Sequence, residues 1–298
     1  MKAWAQGYVL VCVWMIGVRV CGAGVEGPLD AQVLATGSGR VMLLSRTGEV
    51  VWEHKAANIH DAWRLPNGNV LFADGTVTEV TPDHQTVFHY APQEQKGGGA
   101  FSCQRLANGN TVVGENASGR VVEVDRNGAV LFTLQTHPVK MGDHHNLRMV
   151  RKLSNGNYLV CHSGANHVRE YRSDGTVVWE RKAKALAFAA VRTATGHTFI
   201  SSINQITEYD RDGNEIWEFK KDDLPGVVIR NMTGFQVLPD GNLVIGCYSA
   251  YDANGVGTGM FEIDRGRRLI WRYVSPGLRD KSMMGVHKLV AGAEPPLR

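Results

Sequence analysis

The chain has 298 residues, of which 43% are hydrophobic and 20% charged, a globular composition that excludes a disordered chain. Lys and Arg number 32 against 29 Asp and Glu, and no block of like charge stands out, so a nucleic-acid or membrane-surface partner has no electrostatic footing. The 34 glycines against 10 prolines point to many tight turns rather than Pro-rich linkers.

The chain opens with Met1-Lys2, runs mostly apolar from Ala3 to Val18, and passes through the small residues Cys21-Gly22-Ala23-Gly24. A basic start, a short apolar stretch and a small-residue exit predict a signal peptide over 1–24 and a periplasmic or secreted protein. No other stretch is long and apolar enough to span a bilayer. Residues 25–298 are then a single domain. Beyond the leader, Cys103, Cys161 and Cys247 fit no metal spacing and sit in apolar strand-like runs, which predicts buried free thiols. Asn116-Ala117-Ser118 and Asn231-Met232-Thr233 have the spacing of glycosylation sequons.

The decisive feature is internal repetition. Leu65-Pro-Asn-Gly68, Leu106-Ala-Asn-Gly109, Leu153-Ser-Asn-Gly156, Thr193-Ala-Thr-Gly196, Leu238-Pro-Asp-Gly241 and Leu289-Val-Ala-Gly292 recur about every 40 to 50 residues. Asn-Gly or Asp-Gly between short apolar runs is a hairpin turn. A second turn follows in each unit. Gly48, Gly128, Gly175 and Gly213 precede Trp52, Phe132, Trp179 and Trp217, while His84 and Arg267 stand in the same place before Phe88 and Trp271. Four short strands per unit and no amphipathic helical pattern predict an all-β six-bladed propeller with four-stranded blades. Residues 31 to 54 lack a first strand and residues 285 to 292 supply one, so the C-terminal strand should complete the N-terminal blade and close the ring. A closed ring without open edges is expected to be a monomer.

A charge pattern accompanies the repeat. Before the hairpin turn stand Arg64, Arg105, Lys152, Arg192, Val237 and Lys288; on the third strand stand Leu43, Glu79, Glu123, Glu170, Glu208 and Glu262. Pairing each acid with the base of the preceding blade puts Glu79 on Lys288 and Glu123 on Arg64, and leaves Leu43 facing Val237, one apolar rung in a structural ladder.

In a propeller, the starts of the inner strands and the ends of the second strands surround one mouth of the central channel, where ligands collect. Inner-strand starts bring His60, Phe101, His144, His145, Arg148 and His287; second-strand ends bring Asp74, Glu115, His162 and Tyr248. Imidazoles transfer protons near neutral pH or bind a divalent metal, and an arginine clamps an anion. His60, His144, His145, Arg148 and His287 are the candidate catalytic groups. Asp74, Glu115, His162, Tyr248 and Phe101 are candidate substrate contacts, and His60, His145 and His287 candidate ligands of a divalent metal. Strand alternation lets only one of His144 and His145 face the channel. His54, His84, His89, His137 and His197 fall at turns or outer strands and read as surface residues. Gly97-Gly98-Gly99 and the glycines at 255, 257 and 259 read as blade loops, not phosphate cradles.

Asp143-His144-His145-Asn146-Leu147 followed by Leu153-Ser-Asn-Gly-Asn-Tyr-Leu-Val160, and Ile59-His60-Asp61 followed by Leu65-Pro-Asn-Gly-Asn-Val-Leu-Phe72, resemble the arylsulfotransferase-like propellers. The blade pattern is also similar to pyrroloquinoline-quinone-type propellers. The first resemblance implies sulfuryl transfer carried by channel histidines and an arginine, with His60, His144 or His145 transiently sulfurylated. The chain is much shorter than those enzymes, and the blades at Phe101, Phe188 and Thr233 lack the histidine. The residues themselves lead to an exported propeller whose axial cluster binds a small, saccharide-derived substrate and acts as lyase or hydrolase, with or without a metal. A non-catalytic ligand- or protein-binding scaffold is the alternative.

Overall fold

The computed structural model describes residues 24–137, 139–275 and 282–293, so the proposed leader lies outside the described residues, Gly24 apart. Six antiparallel sheets stand around a central axis. Blade 1 joins the last strand to the first repeat. β25 (Met283–Lys288) pairs with β2 (Val33–Gly37), which continues into β3 (Arg40–Leu44) and β4 (Val50–Lys55). Blade 2 is β5 (Asp61–Arg64), β6 (Val70–Ala73), β7 (Val77–Val80) and β8 (Thr86–Tyr90). Blade 3 is β9 (Ala100–Arg105), β10 (Thr111–Glu115), β11 (Arg120–Val124) and β12 (Val130–Gln135). Blade 4 is β13 (Val150–Lys152), β14 (Tyr158–His162), β15 (His167–Tyr171) and β16 (Val177–Lys182). Blade 5 is β17 (Ala187–Arg192), β18 (Thr198–Ser202), β19 (Gln205–Tyr209) and β20 (Glu215–Lys220). Blade 6 is β21 (Met232–Val237), β22 (Leu243–Cys247), β23 (Gly257–Ile263) and β24 (Leu269–Ser275), and here a fifth strand is added. β1 (Gly24–Glu26) runs antiparallel along the outer edge of β24, with Val25 opposite Tyr273. The chain therefore covers an open edge of blade 6 before entering blade 1.

The turn before each fourth strand demands a left-handed residue. Gly48 supplies it at φ +81°, and His84 and Arg267 adopt it at +67° and +64° despite their side chains. The next feature is shared by all six blades. The third strand slips register at Leu43/Leu44, Glu79/Val80, Glu123/Val124, Glu170/Tyr171, Glu208/Tyr209 and Glu262/Ile263. Just before the slip the acid faces the aromatic of the fourth strand: Glu79 opposite Phe88, Glu170 opposite Trp179, Glu262 opposite Trp271. Aromatic and carboxylate thus present one composite surface to the neighbouring blade.

The base that docks there comes from the following blade, not the preceding one. Arg105 bonds Glu79 at 2.5 Å with its guanidinium 4.7 Å from the Phe88 ring; Arg192 bonds Glu170 at 3.0 Å with its guanidinium 4.8 Å from Trp179; Lys152 pairs with Glu123, and Lys288 bonds Glu262 at 2.8 Å. This corrects the expected offset. Leu43 and Val237 do not meet: Leu43 packs with Ile59 and Phe72, Val237 with Phe199 and Phe235. Where Val237 withdraws the base, Arg265 of the third-to-fourth strand turn reaches Glu208 instead and lies 4.4 Å from the Trp217 ring. Cys103, Cys161 and Cys247 are free and buried, as their apolar settings require.

Candidate functional site

At one end of the axis the inner-strand starts enclose a cavity of about 800 Å³, to which every blade contributes. His60 precedes β5, Phe101 lies in β9, Phe188 in β17 and Met284 in β25; Asp74 follows β6 and Tyr248 follows β22. Blade 4 supplies His144, His145 and Arg148 from the segment before β13. That strand begins only at Val150, so the two histidines sit in a turn and strand alternation does not apply. Both line the cavity, which corrects the expectation that one would face away.

Arg148 is the electrostatic centre. It is 8% exposed, its Nε finds no partner, and among the described residues no carboxylate pairs with it. Its guanidinium lies 4.8 Å from the Phe101 ring and 5.6 Å from Phe188, two faces that accept a cation without neutralising it. Burial brings its pKa down to about 10, so it stays charged at neutral pH. Among the described residues its one polar side-chain contact is to His60 Nδ1 at 3.3 Å.

Since a guanidinium only donates, His60 Nδ1 accepts, and the neutral ring carries its proton on Nε2. Burial, then Arg148 and His144, hold His60 well below the usual imidazole pKa. Its ring centre lies 3.9 Å from that of Phe101. His144 has the complementary arrangement. Its Nδ1 lies 3.2 Å from the Gly97 carbonyl, an acceptor, so Nδ1 carries the proton and Nε2 keeps its lone pair. Burial and Arg148 lower the pKa values of both His144 and His145. The His60 and His144 ring centres are 6.3 Å apart.

The loops that aim these rings were not singled out by sequence. Asn116, fully buried, donates to the carbonyls of Gly97 and Asp143 at 2.8 and 2.9 Å and accepts from Leu147 N at 2.9 Å. It ties the Gly97–Gly99 loop of blade 3 to the histidine turn of blade 4, so its sequon is closed to modification. Gly98 lies against the Phe101 ring at φ +117°, where a side chain would collide with it. Phe188, Ser38 and Asn231 also line the cavity; their positions at inner-strand starts or tops of turns were the available signal.

Three expected site residues lie elsewhere. Glu115 does not line the cavity: it is buried, accepting from Tyr90 Oη at 2.5 Å, Ser118 at 2.7 Å and Arg120 Nε at 2.8 Å. His162 is buried against Tyr171 Oη at 2.8 Å, and burial lowers its pKa to about 3. His287 sits deeper, its ring centre 4.8 Å from that of Trp63. His60, His145 and His287 therefore do not converge, and among the described residues no three His, Cys, Asp or Glu side chains group as a metal site. Below Arg148 the cavity narrows to a space of about 20 Å³ reaching Asp61, which holds Arg151 through two bonds of 2.8 and 3.0 Å.

A family model described as outer membrane protein assembly factor BamB matches residues 148–282, less than half of the chain. The fold is that of a six-bladed β-propeller, and over that segment the chain is similar to this family. No curated protein is significantly similar to this propeller in sequence. Among solved structures, a protein of unknown function from Bacteroides caccae superposes with a TM-score of 0.74 at 20% identity, covering 86% of this chain and 98% of that one. A virginiamycin B lyase from Staphylococcus aureus, a catalytically inactive histidine-to-alanine variant with quinupristin, gives 0.56 at 13% identity over 85% and 84%. The extracellular domain of a putative hybrid two-component system from B. thetaiotaomicron gives 0.54 at 12% identity, covering 84% of this chain and 33% of that one. Identities this low speak to fold alone. No described helix is long and apolar enough to cross a membrane.

Proposed function

We propose that this propeller is an exported lyase that eliminates across a carbon–oxygen bond of a small, carboxylate-bearing sugar derivative such as a uronate. The observation that carries the reading is Arg148: a buried, charged, unpaired guanidinium opening on a cavity flanked by imidazoles of opposite tautomer. An unpaired buried cation is costly unless a ligand anion completes it. A carboxylate on Arg148 acidifies the neighbouring C–H. His144 Nε2 takes that proton, the electron pair forms the C=C bond and the C–O bond breaks; the departing oxygen, hydrogen-bonded by His60 Nε2–H, takes the proton back from the His144 imidazolium. Asp74 and Tyr248 stand on the wall as hydrogen-bonding partners for hydroxyls. A metal is not required by this scheme. The lyase named among the structural neighbours, with its inactive histidine variant, supports the class, and the sequence of 1–24 with the BamB-described match supports export.

The test is a screen of oligouronates, read by the ultraviolet absorbance of a C=C bond conjugated to the carboxylate. Arg148→Gln should lower kcat/KM by about 100-fold or more, the scale of losing a charged contact in a desolvated site. His144→Gln should lower kcat with KM nearly unchanged. Tight binding without turnover would favour a binding scaffold, and transfer from an aryl sulfate would favour the sulfuryl-transfer reading; either outcome overturns the lyase.

A further inference from the structure

Outside the cavity, one pair of histidines is brought together by two different blades. His54 stands on β4 of blade 1 and His84 in the turn between β7 and β8 of blade 2. Their Nδ1 atoms are 3.2 Å apart, the ring centres 5.4 Å apart and the planes within 21° of one another. A gap so much shorter than the centre separation means that the rings meet edge to edge, and both Nδ1 atoms face one space. Trp52 fixes the arrangement from one side: its ring lies 6.1 Å from His54 and 5.3 Å from His84, nearly parallel to both, and its Nε1 donates to Pro82 O at 2.8 Å. Phe72 closes on His54 from below at 5.4 Å. His84 pays a backbone cost to be there, holding φ at +67° where four of its five counterparts in other blades are glycine.

We propose that His54 and His84 chelate a late first-row divalent transition metal, Zn²⁺, Ni²⁺ or Cu²⁺, and so clasp blade 1 to blade 2. Two imidazole nitrogens on one ion at about 2.0–2.1 Å stand about 2.9 Å apart at a right angle and about 3.3 Å apart at the tetrahedral angle, which brackets the observed gap. Binding replaces the shared proton between the rings with the ion. Both side chains reach solvent, so water completes the coordination sphere and the ion enters without rearranging the fold. The charge balance is favourable: Asp74 and Asp83 act on His54 and His84 respectively as the nearby carboxylates. This proposal is independent of the cavity, since neither ring lines it.

Trp52 provides a local readout. Titrating the protein with Cu²⁺ should quench tryptophan fluorescence, and Trp52→Phe should remove that saturable component. Zn²⁺ followed by calorimetry should show a one-to-one site that His54→Gln and His84→Asn each weaken. Loss of a supporting partner alone costs metal sites about 10- to 100-fold, so loss of a ligand should cost at least as much. Asn is chosen at 84 because it tolerates the left-handed backbone. Circular dichroism identical to the parent verifies that each variant folds. Superimposable Zn²⁺ titrations of parent and variants, or quenching that survives Trp52→Phe unchanged, overturn the proposal. The cavity variant His144→Gln, which lacks a proposed catalytic base, should bind Zn²⁺ at the clasp like the parent, so failure here and failure of the lyase reading are read separately.

Discussion

His287 shows how position along an inner strand decides what an imidazole does. It lies at the fifth residue of β25, below the cavity, packed on Trp63 and 4% exposed. Burial, with Arg151 adding to it against the pull of Asp61, lowers its pKa to about 4. The folded chain therefore keeps His287 neutral while the unfolded chain protonates near 6.5. The unfolded state binds more protons between those values, so stability is full above pH 6.5 and is lost as pH falls from 6.5 towards 4. Chemical denaturation at pH 7.5 and pH 5 should show His287→Gln losing less stability on acidification than the parent, by about 2 kcal/mol. An unchanged pH slope would place the ring in a hydrated setting instead. The sequence put His287 on an inner strand correctly but could not give its depth, because strand starts vary by several residues between blades. Glu115 and His162 failed differently. Both end second strands as expected, yet their side chains turn back to Tyr90 and Tyr171, and which way a side chain turns at a strand end leaves no mark in local spacing.

At the level of elements, the catalytic proposal depends on loops rather than strands. The segment before β13 carries His144, His145 and Arg148, and Asn116 at the top of blade 3 holds it through two hydrogen bonds, with a third to Gly97 O of its own blade. Asn146 adds a second tie, donating to Lys140 O at 2.6 Å and accepting from Lys140 N at 3.0 Å. Sequence periodicity identified the histidines but assigned them to a strand, since an apolar run follows them directly; the asparagines that replace strand pairing with side-chain ties carry no periodic signal. Asn116→Ala removes three satisfied bonds and leaves the Asp143 carbonyl and the Leu147 amide without these partners, while the Gly97 carbonyl keeps His144 Nδ1, at a cost of about 1–3 kcal/mol in stability. It should also let the turn drift and lower kcat/KM of the proposed reaction by about 100-fold, as small misplacements do. Arg148 should still bind a carboxylate ligand in the variant, because it is held by Phe101 and Phe188 rather than by Asn116. Equal loss of binding and turnover would show that the whole mouth had collapsed, not that one turn had moved.

For the molecule as a whole, the ring was legible because its signals are local: a hairpin turn, a left-handed turn and an aromatic, repeated six times. The direction of the charge ladder was not. Five bases and five acids fit either neighbour equally well on paper, and only the sense in which successive blades stack decides between them. That sense puts Lys288, on the strand that closes the ring, against Glu262 of blade 6, so closure and the ladder meet in one ion pair. Glu262 is 1% exposed and also accepts from Trp271 Nε1 at 2.5 Å and Asn242 at 3.0 Å, while Lys288 is 4% exposed and reaches Asp30 at 2.6 Å. Burial works against the charge on Lys288, but the bonds to Asp30 and Glu262 prevail and raise its pKa. Lys288→Met leaves a carboxylate buried without its cation and should lower stability by about 3–5 kcal/mol. Adding Glu262→Gln removes the orphaned charge while keeping an acceptor for Trp271, so the double variant should recover more than half of that loss. The same double-mutant cycle run on the expected but incorrect pair, Lys288 with Glu79, should be additive, since the two are not bonded and Glu79 is already held by Arg105 and Arg126. Coupling between Lys288 and Glu79, or additivity between Lys288 and Glu262, would mean that the blades stack in the opposite sense to the one described.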